Sequence, residues 1–148
     1  MTLEDILDAC RRESALRQAR NPLEEIQRGI SRMAPPRGFA ASLRSREFSV
    51  IAEVKRSSPS MGAINDRAID VAHEVYNAHP VVAAISVLTQ GSHFSGSPSD
   101  LETVRRLTEG RSPKPILRKD FIFSEYEVYY SRWIGADAIL LMVNVVPD

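Results

Sequence analysis

From residue 48 onward the chain alternates short apolar, β-branched runs with segments whose apolar residues recur at helical spacing, and this alternation restricts the fold more than any other feature. The runs cover 48–54, 81–88, 115–117 with its continuation, and 136–146. Between them lie 66–77, apolar at Ile69, Ala72, Val75 and Tyr76; 98–107, apolar at Leu101, Val104 and Leu107; and 124–134, with Ser124 as N-cap and Val128, Tyr129 and Trp133 facing inward. Near-continuous apolar strands separated by amphipathic helices indicate a parallel sheet with right-handed crossovers. The strand starts fall roughly 25 to 35 residues apart, the length of one βα unit, so four units are legible. The predicted class is α/β.

Before this region stands a helical leader. Thr2 followed by Asp5 predicts a capped helix with Leu3, Ile6, Leu7 and Cys10 on one face. Asn21-Pro22-Leu23-Glu24 predicts a second start, with Asn21 as N-cap and Pro22 at the first helical position, running to about Ile30. Pro35 and Pro36 cannot continue that helix, because each fixes φ and removes a donor. The predicted organisation is a helical extension over 1–46 and a βα region over 47–148. The chain of 148 residues stops directly after its fourth strand, without that strand's helix. A complete eight-unit barrel takes about 250 residues. Two expectations therefore stand together at this point, a small open sheet and the first half of a barrel cut from a longer protein.

Composition narrows the function classes. Nineteen Lys and Arg balance 19 Asp and Glu, so no bulk charge drives binding to nucleic acid or to a membrane surface. Hydrophobic residues at 43% exclude the composition of a disordered chain. The lone cysteine, Cys10, permits no intrachain disulfide and sits on the apolar face of the first predicted helix, which points to a reducing compartment. The N-terminus is acidic where a secretory signal is basic, and no apolar run reaches the roughly 18 residues of a spanning helix. A cytoplasmic protein is expected.

Residues with chemical potential gather at the predicted strand ends. In Ile51-Ala52-Glu53-Val54-Lys55, period-two alternation puts Glu53 and Lys55 with Ile51 on one face and Val50, Ala52 and Val54 on the other. A carboxylate and an ammonium then share the C-terminal end of a parallel strand, where α/β proteins build their sites; an ordinary surface ion pair is the plainer alternative. The following Ser57-Ser58-Pro59-Ser60-Met61-Gly62 offers hydroxyls and backbone suited to a phosphate or carboxylate, or is simply a turn. On the third strand, Lys119 shares a face with Leu117 and Phe121, with Arg118 and Asp120 opposite. An ammonium among apolar and cationic neighbours yields its proton more readily, as a proton donor must; a lysine extended into solvent is the alternative. Two strand-end lysines in one sheet favour an anionic small-molecule substrate. After the second strand, Phe94 either walls a pocket or anchors its loop. His73, His79 and His93 lack metal-ligand spacing, and no glycine-rich nucleotide motif is present, so neither metal nor cofactor is expected.

Three of these segments are specific in combination. Ile51-Ala52-Glu53-Val54-Lys55-Arg56-Ser57-Ser58-Pro59-Ser60, then Ile85-Ser86-Val87-Leu88-Thr89 with Phe94 and Gly96-Ser97, then Leu117-Arg118-Lys119-Asp120-Phe121-Ile122 with Gly135-Ala136-Asp137-Ala138, resemble the indole-3-glycerol phosphate synthases in order and over the whole chain. The resemblance implies a (β/α)₈ barrel with an N-terminal helical extension. It also implies conversion of 1-(2-carboxyphenylamino)-1-deoxyribulose 5-phosphate to indole-3-glycerol phosphate, with loss of CO₂ and water and without cofactor or metal. By the same resemblance Lys119 is the general acid at the substrate carbonyl. Lys55 binds the anionic substrate, protonates the departing hydroxyl, and is held by Glu53, itself a candidate base. Ser58 and Pro59 contact the ligand, and Phe94, Phe121 and Leu140 wall the aromatic ring.

The sequence departs from the pattern in two ways. Gln90 stands where an acidic residue is common after the Leu-Thr pair, and everything the family places on strands five to eight lies outside these residues: a second glutamate, an asparagine and the phosphate-binding amides. The expectation is a chain with half of the site, little activity alone, and an uncovered inner face at Ile51, Leu117 and Leu140 that invites self-association or pairing with a C-terminal half-barrel. The alternative is a non-catalytic half-barrel that binds phosphate or assembles, for which size exclusion would find a defined dimer. Another sugar-phosphate barrel, such as an isomerase, is a weaker rival because it has no need of the Glu53, Lys55 and Lys119 motifs.

Overall fold

A computed structural model describes residues 2–45, 47–58, 62–64, 67–110 and 113–146. The leader folds as α1 (Leu3–Arg20), α2 (Leu23–Ile30) and α3 (Phe39–Arg44). Thr2 caps α1 as expected, with its hydroxyl accepting from the Asp5 N–H at 3.2 Å and the Asp5 carboxylate accepting from the Thr2 N–H at 2.7 Å. Asn21 does not cap α2. Its N–H donates to the Arg17 carbonyl at 2.8 Å and so closes α1, which leaves Pro22 at the cap position without a side-chain bond. The short α3 carries no apolar stripe long enough to be read in advance, and it lies beyond Pro35 and Pro36.

The sheet follows. Strands β1 (Val50–Val54), β4 (Val82–Leu88), β5 (Ile116–Lys119) and β6 (Ala138–Ile139) are all parallel and lie side by side in chain order. Between β1 and β4 stand a two-residue ribbon, β2 (Ser57–Ser58) with β3 (Gly62–Ala63), and α4 (Ala68–Val71), which continues as a π-helical turn over Ala72–Tyr76. α5 (Pro98–Leu107) and α6 (Glu125–Trp133) complete the crossovers, with Ser97 and Ser124 as N-caps. A sheet whose order never reverses keeps its right-handed crossovers on one face. A doubly wound sheet reverses direction and covers both. A doubly wound sheet is thereby excluded, and the four parallel strands stand in the order of the first four strands of a (β/α)₈ barrel, an order that a small open sheet wound in one direction would share.

The covered face holds the core. Val54, Ile85, Val87 and Ile116 pack against Ala68, Ala72, Leu101, Val104, Tyr126, Tyr130 and Ile134, and Ile26 of the leader joins them, fully buried. Several inward assignments shift in phase. Val75 is 48% exposed, because the wider π turn moves it off the apolar stripe. Val128 is 44% exposed, since the stripe of α6 that meets the sheet runs through Tyr126, Tyr130 and Ile134 at four-residue steps. At the first strand, pairing begins at Val50, and Phe48 lies outside it, well exposed. The fourth apolar run supplies only two strand residues. Leu140 still donates to the Arg118 carbonyl at 3.2 Å, but β5 ends at Lys119 and offers no further ladder, and the chain turns away at 143–145.

Buried ionic clusters tie the leader to the sheet at two places, around Asp137 beside β6 and around Arg118 on β5. On the outer side of β5, Arg118 is fully buried between Asp120 at 2.7 Å and Glu127 at 2.9 Å, and Glu127 also receives Arg17 of α1 at 2.8 Å. The Arg17 and Arg118 guanidiniums lie 5.2 and 5.3 Å from the centre of the Tyr130 ring, which burial gives a raised pKa. Burial works to raise the Glu127 carboxyl, and the two arginines outweigh it and hold it below the ordinary carboxylate value. A depressed carboxyl contributes stability that is complete above its unfolded value, near 4.3, and is lost as the pH falls through its folded value. Urea midpoints measured from pH 7 down to pH 3 are therefore expected to fall steeply for the natural chain. Glu127→Gln should start about 3 kcal/mol less stable, because Arg118 and Arg17 stay buried without its charge, and should show a flatter acid limb. An identical acid limb in the variant would remove Glu127 from this role. Cys10 is buried beneath the same region, and burial first, then Asp120 and Glu13, push its thiol up to about 12, which suits a packed apolar group.

Candidate active site

In a parallel ladder, residues paired across neighbouring strands point to the same face. The register pairs Ile51 with Ala84, Glu53 with Ser86, Ser86 with Leu117 and Leu88 with Lys119. These residues share the face opposite the crossover helices α4, α5 and α6, and Ile51 there is 43% exposed and Leu140 36%. Glu53 stands near the end of β1, Lys55 directly follows it and Lys119 closes β5, so charged groups stand at the C-terminal rim of this largely apolar surface.

The geometry changes one expected partnership. Glu53 holds Lys119 rather than chiefly Lys55: Lys119 Nζ donates to Glu53 Oε2 at 2.5 Å, whereas Lys55 Nζ lies 4.0 Å from Oε1. Because β4 separates β1 from β5, this bond spans the middle strand. Among the described residues no cation touches the Lys119 ammonium. Arg118 points to the opposite face into its buried cluster, so the group against the Lys119 ammonium is a carboxylate.

Around these groups lies a cup lined by Lys55, Lys119, Phe94, Phe121 and Leu140, together with Leu88, Asp120 and Met142. The two expected cations and the three expected apolar residues thus converge, and Glu53 joins them through its ion pairs. Ser58 is buried in the β2–β3 ribbon, paired with Gly62, and is not among the lining residues. Pro59 lies outside the described residues. Leu88 could have been found by extending the alternation Ala84, Ser86, Leu88 along β4. Met142 follows the end of β6, where no periodicity carries a signal.

The loop that brings Phe94 to the cup is tightly made. Gly96 donates to the Gln90 carbonyl at 2.9 Å, and a Cβ on Gly96 would stand 2.9 Å from the Leu88 carbonyl carbon, so backbone approaches backbone where only glycine fits. Ser95 takes the left-handed conformation, φ 55°. The leader holds this loop from outside through Ser92 to Glu13 and through the buried Gln90, whose amide reaches the Cys10 sulfur at 3.9 Å and accepts from the His93 N–H at 2.9 Å. Gln90, the departure noted in the sequence, is thus a neutral buried link between loop and leader. Among the described residues no group of three or more His, Cys, Asp or Glu is placed to hold a metal ion, and no helix is long and apolar enough to cross a membrane.

The family profile described as indole-3-glycerol phosphate synthase matches residues 3–148. A protein of that name from Parafrankia sp. (strain EAN1pec) is 41% identical over 141 residues, covering 95% of this chain and 51% of its own length. One from Acidithiobacillus ferrooxidans (strain ATCC 53993 / BNL-5-31) is 40% identical, covering 99% and 56%, and one from Clostridium kluyveri (strain ATCC 8527 / DSM 555 / NBRC 12016 / NCIMB 10680 / K1) is 36% identical, covering 100% and 56%. The chain spans about half the length of the curated relatives it matches. With the family profile matched over nearly its whole length, the chain belongs to the indole-3-glycerol phosphate synthase family.

Proposed function

We propose that this chain provides the first half of an active site that closes 1-(2-carboxyphenylamino)-1-deoxyribulose 5-phosphate to indole-3-glycerol phosphate, releasing CO₂ and water, in tryptophan biosynthesis in the cytoplasm. The observation that carries this reading is the convergence of Lys55, Lys119 and Glu53 on one cup walled by Phe94, Phe121 and Leu140. Apolar walls take the aryl ring and desolvate its carboxylate, which favours loss of CO₂, while ammoniums meet the anionic groups. In the free protein Lys119 rests on Glu53. When substrate enters, its ammonium transfers to the carbonyl oxygen and protonates it as the ring carbon attacks. Lys55 holds the substrate's anionic group and then protonates the departing hydroxyl, and Glu53 is placed to take a proton back. Ser58 and Pro59 are ligand contacts on the resemblance alone. The extension over 1–46 serves as a clamp on a catalytic unit formed by 47–148.

The remaining groups the reaction needs come, on this reading, from a second half-barrel. The exposed Ile51 and Leu140 favour such pairing, or self-association, over a solitary chain. Co-expression with the C-terminal half of the Acidithiobacillus ferrooxidans relative tests it. The mixture is expected to turn over the carboxyphenylamino sugar phosphate at a rate the chain alone does not reach. A folded complex of the two halves that binds this substrate without turnover would favour the non-catalytic, phosphate-binding reading instead.

A further inference from the structure

Ser86 is the anomaly on the inner face. It lies on the face opposite the crossover helices, yet it is only 4% exposed, and its hydroxyl is buried without a hydrogen-bond partner. Buried hydroxyls are nearly always paired, so an orphan calls for a cause. Register supplies one. Ser86 pairs with Glu53 on one side and with Leu117 on the other, and Leu117 stands two residues before Lys119. The Lys119–Glu53 bond, which crosses β4 from β5 to β1, therefore passes over Ser86 and roofs it. In this arrangement Lys119 donates to Glu53 Oε2, and the Ser86 hydroxyl makes no hydrogen bond to the carboxylate.

We propose that Ser86 is a positioning residue whose hydroxyl donates to the Glu53 carboxylate whenever Lys119 leaves that carboxylate for the substrate. The role deepens the reading of Lys119 as proton donor and rests on it. A serine hydroxyl turns among staggered wells at little cost. Its movement keeps Glu53 directed into the cup when the bond that had oriented it is broken, and it lowers the barrier to that break by offering a replacement. Lys55, 4.0 Å away on the same strand, restrains the other carboxylate oxygen only loosely.

A double-mutant cycle on the full chain tests the claim without substrate, so its outcome is independent of whether a completed barrel turns over. Lys119→Met removes the ammonium and leaves no donor in its place, and Lys119→Leu serves equally should the first variant fold poorly. In the natural background Ser86→Ala is expected to leave the folding equilibrium constant, from urea unfolding, within about twofold, since no bond is lost. In the Lys119→Met background the same change should lower it about three- to tenfold, the worth of one hydrogen bond, and Ser86→Thr, which keeps the hydroxyl, should restore it. A crystal structure of Lys119→Met should place Ser86 Oγ within about 3.2 Å of the Glu53 carboxylate. Equal effects of Ser86→Ala in both backgrounds, or an Oγ still unpartnered in that crystal, would overturn the proposal, as would Lys55 closing on Glu53 in its place.

Discussion

Lys119→Ala, in a barrel completed by a relative's C-terminal half, is expected to lower kcat by about 10²- to 10⁴-fold, the usual worth of a positioned proton donor, with a far smaller change in KM. The expectation rests on where this side chain ends. Its side chain is 38% exposed and that of its partner Glu53 33%, so their ion pair contributes little to folding. Removal should therefore act on the chemistry rather than on the amount of folded protein. Lys119→Arg keeps the charge and can still bind an anion, but its guanidinium does not release a proton near neutrality. It should recover KM and not kcat. Steady-state kinetics of the three proteins separate donation from simple anion binding, and an unchanged kcat in Lys119→Ala would refute the role.

The largest effect on folding is expected at Asp137. Its side chain is fully buried at the start of β6, where Arg105 donates to both carboxylate oxygens at 2.8 and 2.7 Å. The Arg37 N–H of the leader and the Ile116 N–H of β5 add bonds of 2.8 and 2.9 Å. One carboxylate thus joins α5, β5, β6 and the leader. Around it the guanidiniums of Arg37 and Arg132 have lowered pKa values, through burial first, with Arg105 adding repulsion in both cases. Asp137→Ala leaves Arg105 buried without its counter-charge and two amides unpaired, a cost of about 3–5 kcal/mol, which is a large part of a typical domain's stability. A fall in Tm of roughly 10 °C or more is expected by calorimetry, with the leader's amides losing hydrogen-exchange protection together with those of β5. A fall of only a degree or two would show that the carboxylate is not the knot described here.

How much of this was legible in the sequence depends on the range of the interaction. The strands and their crossover helices follow from local alternation, and the Glu53 and Lys119 faces follow from period-two reasoning along single strands. The bond between them does not. These residues are 66 positions apart, and their contact depends on β4 lying between their strands and on a lysine long enough to cross it. The same limit hid the orphaned Ser86. Arg118 was read correctly as facing away from Lys119, but its cluster draws on Arg17 and Glu127, from α1 and α6, which no spacing links to it. The π turn at Ala72–Tyr76 and the shortness of β6 were missed because both express tertiary pairing rather than propensity. At Gly135, φ +100° and the Arg105 side chain 3.2 Å from where a Cβ would stand explain a glycine that earlier entered only as part of a resemblance.

The claim on which the rest depends is that Lys55 and Lys119 serve one anionic aryl ligand. A crystal structure of the completed barrel with indole-3-glycerol phosphate bound tests it most directly. The expected result has both Nζ atoms within about 3.2 Å of ligand oxygens or of waters bridging to them, the ring against Phe94, Phe121 and Leu140, and Lys119 released from Glu53. A ligand seated elsewhere, or bound in the cup with both ammoniums turned away from it, would contradict the account.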